Sequence, residues 1–358
     1  MRTASATPVD ATQKAWQTSR VMTSGSVAEG ELRLERSPAT ATTLARWYAG
    51  TLVYTLFVVL FGAVVRITGS GAGCGQHWPT CQGQIAHLPR SVETAIELGH
   101  RVTSGISFLL VVGLALATFS RLPGDHPARR FAALSALFMI VEVLIGAVLV
   151  LRRLVEHDGS VERAILGSAH LVNTCLLTGS LLVAMLAASG NIPRGARPSR
   201  RALLAMTLGG AAILIVCVSG AVTALGDTVH PIAPGTPLAD RVFAEQSSAV
   251  HFLVRLRALH PLLAVLSAAA LLVLSPVLAR LGGSAASVRY GRLVALLLVA
   301  QTAAGTVNVL ASAPAWMQIL HLGLASAIWL AWVLLSASTV GAPREGALGA
   351  GTSRAGSG

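Results

Sequence analysis

Charge is what this chain has least of. Charged residues fill 12% of its 358 positions and aromatics 5%, against 53% hydrophobic residues and a mean hydropathy of +0.67. So little charge excludes a water-soluble domain, which could not hide that much apolar surface in its interior. The shortage of aromatics, with Leu, Val and Ala in long runs, excludes the alternating pattern of a membrane barrel and leaves helices to do the spanning. The formal net charge is +12, but the arginines are scattered over short loops and the N-terminal tail. With no basic face and no interleaved aromatics, a nucleic-acid partner is excluded as well. Lysine is nearly missing: Lys14 is the only one among 27 basic residues, a skew that reflects base composition of the genome rather than chemistry. No secretory leader is expected, because residues 1–45 are polar, mixed in charge and without an apolar segment. That tail and residues 339–358 read as disordered and cytoplasmic.

What the chain does have is apolar runs long enough to cross a bilayer, about 20 residues each. They fall near 47–65, 95–118, 130–151, 163–187, 202–224, 254–279, 290–311 and 314–337. The fold class is therefore an all-α integral membrane protein with eight transmembrane helices packed against lipid. An even number of spans puts both termini on one side. Arginines crowd the tail and the loops after the second, fourth and sixth spans, while Glu93, Glu156, Asp158, Asp227, Asp240 and Glu245 lie in the odd-numbered loops. By the positive-inside rule the termini are cytoplasmic and the odd-numbered loops face outward.

An internal repeat runs through the spans. Near the outer end of each odd span stands Gly62-Ala63-Val64, Gly146-Ala147-Val148, Gly220-Ala221-Val222 or Gly305-Thr306-Val307. Each even span carries one histidine: His100, His170, His260 and His321. From glycine to histidine the separations are 38, 24, 40 and 16 residues, a long, short, long, short order. The chain thus divides into an N-terminal half, 46–190, and a C-terminal half, 200–338, predicted to be tandem, pseudo-symmetric four-helix bundles.

A histidine inside a membrane is costly and placed for a reason. Two imidazoles per half, on the second and fourth helices, can face each other across a bundle axis and hold a planar metal cofactor, with glycine on the other two helices leaving room for a porphyrin. A single such histidine would read as an ordinary core residue bonded to a neighbouring helix; the fourfold placement favours iron ligation. Zinc fits poorly, since its catalytic sites cluster three protein ligands. Glu97, three residues before His100, projects from the same helix face, although an acid in a first helical turn is also stabilised by the helix dipole alone. Arg66, Arg101, Arg255 and Arg257 lie at a similar level and could pair with haem propionates or merely snorkel to the interface.

Cys74 and Cys81 share an outward loop, RITGSGAGCGQHWPTCQGQ, where oxidising conditions favour a disulfide. Such a bond would be a structural staple or, being next to glycines and open to exchange, a redox pair beside a haem. Cys175 and Cys217 fall inside spans as small apolar fillers. The loop itself can fold over the mouth of the N-terminal pocket.

At TGSGAGCGQHWPTCQG after the first span, ELGHR at 97–101, GSAHLVNT in the fourth span, RLRALHP in the sixth and ILHL in the eighth, the chain resembles the haem A synthase family over about residues 47–337. That resemblance implies oxidation of the ring D methyl of haem O to a formyl group, giving haem A for terminal oxidases. It implies that His260 and His321 hold a haem b, that His100 and His170 belong to the substrate haem O pocket, and that Glu97 is a catalytic acid–base or charge-stabilising group. It further implies a bacterial inner membrane, delivery of haem O by the farnesyltransferase that makes it, and an electron acceptor of unknown identity. The chain departs from some bacterial members in one respect: residues 225–253 carry no second cysteine pair, and offer His230 and His251 instead. The competing reading is a di-haem b electron-transfer cytochrome with no substrate; a paired-repeat transporter is disfavoured by the lack of broken helices or buried carboxylates in the second half.

Overall fold

The structure is a computed structural model and describes residues 38–340 apart from Ala86, Pro234 and Ser248. The described residues are helical, with no strand beyond an isolated bridge between Cys81 and Gln84. Residues 1–37 and 341–358, which hold most of the two expected tails, lie outside the described part. Where the tails are described, the expectation of disorder is corrected. Residues 38–45 are the start of a helix and residues 339–340 the end of one.

In chain order the helices are α1 (Pro38–Ile67), α2 (Val92–Arg121), α3 (Pro127–Leu151), α4 (Val161–Ala188), α5 (Arg200–Val229), α6 (Leu238–Gln246), α7 (Phe252–Leu256), α8 (Leu259–Gly282), α9 (Ala285–Leu310) and α10 (Ala315–Val340). Among the described residues eight spans are long and apolar enough to cross a membrane, with α7 and α8 together forming the sixth. The protein is a multi-pass membrane protein. Several helix starts follow from one residue type. The hydroxyls of Ser91, Ser160, Ser199 and Ser284 accept from the backbone N–H of Thr94, Arg163, Ala202 and Ser287, satisfying donors that the helix cannot use. Gly283 ends α8 with φ +59°, a conformation that costs glycine nothing.

The sixth span is broken between α7 and α8, which corrects the expectation that the second half has no broken helix, and the break has a local cause. Pro261 has no N–H, and its ring would collide with the carbonyl of the residue four before it, Arg257. The chain passes this point with short i to i+3 bonds, Arg257 N to Val254 O at 3.2 Å and His260 N to Arg257 O at 3.3 Å, and Pro261 falls in the first turn of α8, where the missing donor costs little.

Neighbours in sequence are neighbours in space. In the first half α1 packs on α2, α2 on α3, α3 on α4, and α4 back on α1; in the second, α5, α8, α9 and α10 close in the same order. The halves meet through α4 on α5 and through α10 on α1 and α4. Between helices in lipid the attraction comes from close packing and hydrogen bonds rather than from water exclusion, and both are visible around α10, at the seam through Trp329 and within the second half through Trp332. Trp329 Nε1 donates to Cys175 O at 2.6 Å and Trp332 Nε1 to Met206 O at 3.2 Å. Gly209 of α5 lets the Trp332 indole come so close that a Cβ there would stand 2.0 Å from it. Outward, Phe57, Leu109, Val265 and Leu296 are exposed, as suits side chains whose solvent is lipid.

Candidate functional site

The odd-numbered loops and the N-terminal turns of the even spans share one end of the molecule. There the glycine-rich segment after α1 makes a 3-10 turn at Ser70–Ala72 and lies against the start of α2. Glycine is needed at position 73: a Cβ there would fall 2.6 Å from the backbone carbonyl carbon and oxygen of Glu93. That approach lets Thr94 Oγ1 donate to Gly73 O at 2.8 Å and the Cys74 backbone N–H donate to Glu97 Oε2 at 2.6 Å. Arg101, one turn further along α2, donates through Nε to Glu97 Oε1 at 3.0 Å and through Nη2 to the same oxygen. Its Nη1 reaches back to His77 O at 2.5 Å and Thr80 O at 2.6 Å. Glu97 and Arg101 therefore form a clamp that holds the loop to the helix.

Inside that loop Cys74 and Cys81 are joined as a disulfide. They are 0% and 1% exposed, which corrects the picture of a bond open to exchange: the sulfurs are covered by the same fold of loop over helix that Glu97 and Arg101 secure. The free cysteines Cys175 and Cys217 sit on α4 and α5.

The four histidines recur in one setting. Each lies about two turns into its span and is half-buried, with the glycine of the preceding span against its ring. A Cβ added at Gly62 would stand 3.1 Å from His100 Cε1, at Gly220 3.0 Å from His260 Cε1, and at Gly305 3.1 Å from His321 Cε1; the gap at Gly146 to His170 is wider, 3.9 Å. In the second half His260 and His321 face each other with ring centroids 6.3 Å apart and planes at 82°. Ser219 Oγ and His260 Nδ1 are 2.9 Å apart, and Gln301 Nε2 stands 3.1 Å from His321 Nε2. An apolar groove of roughly 390 Å³, lined by Leu214, Val218, Ser219, Val222, Leu259 and Leu263 among others, opens between α5 and the join of α7 and α8. In the first half His100 meets the edge of Phe61, centroids 5.7 Å apart at 88°.

These rings suit a metal porphyrin on their own evidence. The Nδ1 atoms of His100, His170 and His321 are buried without a hydrogen-bond partner among the described residues, an arrangement that costs free energy unless something else engages the ring. Two metal–nitrogen bonds of about 2 Å plus the radii of two rings span a distance like that between His260 and His321. No cluster of three or more His, Cys, Asp or Glu suited to a bare metal ion occurs among the described residues.

Three of the four arginines for which propionate pairing and snorkelling were both open, Arg66, Arg101 and Arg257, are engaged within the protein. Arg66 donates to Ala224 O, Thr228 Oγ1 and Gln318 Oε1 at 2.8, 2.6 and 3.0 Å, tying α1 to α5 and α10. Arg257 pairs with Asp227 at 2.9 Å and donates to Gly226 O at 2.5 Å and to His230 O. Of the four, Arg255 is exposed. His230 and His251 stack at 4.8 Å between centroids. Burial, with His251 and Arg257 nearby, holds His230 below the usual imidazole range.

Three polar side chains that touch the histidines escaped the motif reading: Ser219, Gln301 and Glu142, the last with its carboxylate 3.5 Å from His170 Nδ1. The signal for two of them was present, since Glu142 and Gln301 each precede a repeat glycine by four residues.

Comparison with known proteins places this arrangement. Two proteins named Protoheme IX farnesyltransferase, from two strains of Thermus thermophilus, are each 44% identical over 297 residues, covering 83% of this chain and 48% of theirs. The chain thus spans about half the length of those relatives. A protein named Heme A synthase from an Exiguobacterium species is 42% identical over 92 residues, 26% of this chain and 31% of that protein, and one from Shouchella clausii is 44% identical over 98 residues, 27% and 32%. The model of the COX15-CtaA family, described as cytochrome oxidase assembly protein, matches residues 45–333, a stretch that takes in every histidine, glycine and cysteine of the site, and the chain belongs to that family.

Proposed function

We propose that the protein is a haem A synthase, which oxidises the ring D methyl of haem O to a formyl group by successive hydroxylations. The observation that carries this reading is the recurrence of one structural device, a membrane histidine set against a glycine of the preceding span, four times at one end of the bundle. Such a device clears room for the imidazole itself against the neighbouring helix, and imidazoles repeated at one level of a bundle suit the ligation of porphyrin iron. The halves 46–190 and 200–338 are read as pseudo-symmetric units with separate tasks. His260 and His321 would hold a haem b, which supplies one-electron transfer when bound. His100 and His170 would bind and orient the substrate haem O.

Glu97 is the chain's own group for proton transfer beside that substrate. Its carboxylate is aimed by Arg101 and by the Cys74 amide, and an ionised carboxylate with those donors keeps lone pairs free to accept a proton or stabilise developing positive charge. The disulfide loop covers the pocket mouth and limits water there. Both termini are assigned to the cytoplasm of a bacterium and the haem-facing end to the outer side of its inner membrane, on the arginine bias of the loops. The Thermus relatives support a partner as well. They carry a farnesyltransferase name and about as much chain again as the matched part, so haem O delivery by a farnesylating protein fits this chain.

The test is pigment extraction from membranes of a host that makes haem O, with and without the protein. Appearance of haem A is expected. A haem b signal with no haem A would favour the second reading, a di-haem electron carrier; no haem at all would refute both.

A further inference from the structure

Glu142 lies well inside α3, and neither the loop clamp nor the histidine–glycine contacts use it. An ionisable side chain in a membrane span is costly and marks a partner. Its carboxylate accepts from Asn173 Nδ2 at 2.5 Å and from Thr174 Oγ1, while Asn173 Nδ2 also reaches Phe138 O at 2.8 Å. Oε1 stands 3.5 Å from His170 Nδ1, a buried atom without a hydrogen-bond partner among the described residues. Asn173 and Thr174 lie three and four residues after His170, so one turn of α4 presents the imidazole together with both donors that aim the carboxylate at it.

The second half repeats the position with a different charge. Glu142 precedes Gly146 by four residues and Gln301 precedes Gly305 by four; Gln301 faces His321 at Nε2 and leaves its buried Nδ1 unpartnered, whereas Glu142 faces His170 at Nδ1, so in each half one ring nitrogen meets the polar side chain and the other is left for a metal. A neutral amide can donate or accept, whereas an ionised carboxylate only accepts. A carboxylate that takes the far N–H of a metal-bound imidazole fixes its tautomer and strengthens it as a ligand.

We propose that Glu142 is a positioning residue for His170, accepting its Nδ1–H when Nε2 engages haem iron, and that this makes the first-half histidine a stronger ligand than its counterpart beside Gln301. The proposal rests on reading the first half as a haem-binding site. It closes the 3.5 Å separation by a small ring movement, and it assigns the acid–amide difference between the halves a purpose: ferric haem is favoured more strongly in the first site than Gln301 favours it in the second.

The experiment uses the purified full chain with its resident haem b, titrated with ferric haem b as probe. The low-spin absorption of the added equivalent and its midpoint potential are read. Glu142→Gln should weaken uptake about 10- to 100-fold and raise the midpoint by about 59 mV for each tenfold of ferric preference lost. The reciprocal Gln301→Glu should lower the midpoint of the resident haem b by the same conversion. Unchanged uptake and potential in Glu142→Gln overturn the proposal. If that variant does not fold, absence of a downward shift in Gln301→Glu overturns it. A wild-type chain that takes up no second haem refutes the haem-pocket reading along with it; a wild-type chain that does, matched by Glu142→Gln, refutes the role of Glu142 alone.

Discussion

Replacing Glu97 by Ala tests what holds the cysteine loop on α2. The substitution leaves the Cys74 N–H, a buried group, without an acceptor, at a cost of about 1–3 kcal/mol. It also deprives Arg101, 12% exposed at its side chain, of its carboxylate. Breaking a buried pair costs about 3–5 kcal/mol, but Arg101 keeps the carbonyls of His77 and Thr80, so the lower part of that range applies. The two costs overlap, because both are released by one local opening, and about 3 kcal/mol is the expected total. At 1.4 kcal/mol per tenfold, the open population of the loop rises by about 100-fold. Because Cys74 and Cys81 are 0% and 1% exposed, a soluble phosphine reaches their sulfurs only through that opening. Reduction of the bond and hydrogen exchange at the Cys74 amide should therefore accelerate together, by about 100-fold in Glu97→Ala. Glu97→Gln, which keeps one acceptor oxygen, should show about tenfold. Wild-type rates for both readouts in Glu97→Ala, in protein that is otherwise folded, would refute the clamp.

Three further outcomes are expected. Gly220→Val places branched carbon where a single Cβ already comes within 3.0 Å of the His260 ring; overpacking of this kind costs about 1–3 kcal/mol, and the variant should be purified with less bound haem by Soret absorbance. Gly209→Leu would drive its side chain into Trp332, 2.0 Å from the position of a Cβ, so the contact of α5 with α10 should loosen by about 1–3 kcal/mol or more, read as a lower midpoint of thermal unfolding in detergent. His230, held below the usual imidazole range chiefly by burial, binds protons less readily folded than unfolded. Its contribution to stability is then present above about pH 6.5 and declines as pH falls below it. Exchange of amides near residue 230 should quicken on acidification, and His230→Gln should flatten that dependence.

The sequence alone determined the class of solvent and the number of spans. Too few charges and too long apolar runs permit only helices in lipid, and backbone hydrogen bonding in lipid permits no alternative but a closed barrel. It determined the four glycine–histidine modules, because a repeat is a property of order along the chain, and the structure sets each of those glycines against its histidine. What the sequence left open were pairings between residues far apart. Glu97 looked like an acid free to act and proved to be bonded to Cys74 and Arg101; Cys74 and Cys81 looked exposed and proved covered. Arg66 and Arg257 looked available to an anion and were engaged with carbonyls, Thr228, Gln318 and Asp227. The reason is common to all of them. Away from water an unpartnered polar group is costly, and which partner it finds depends on how neighbouring helices and the loops between them are rotated and staggered, a fact fixed only when the bundle closes.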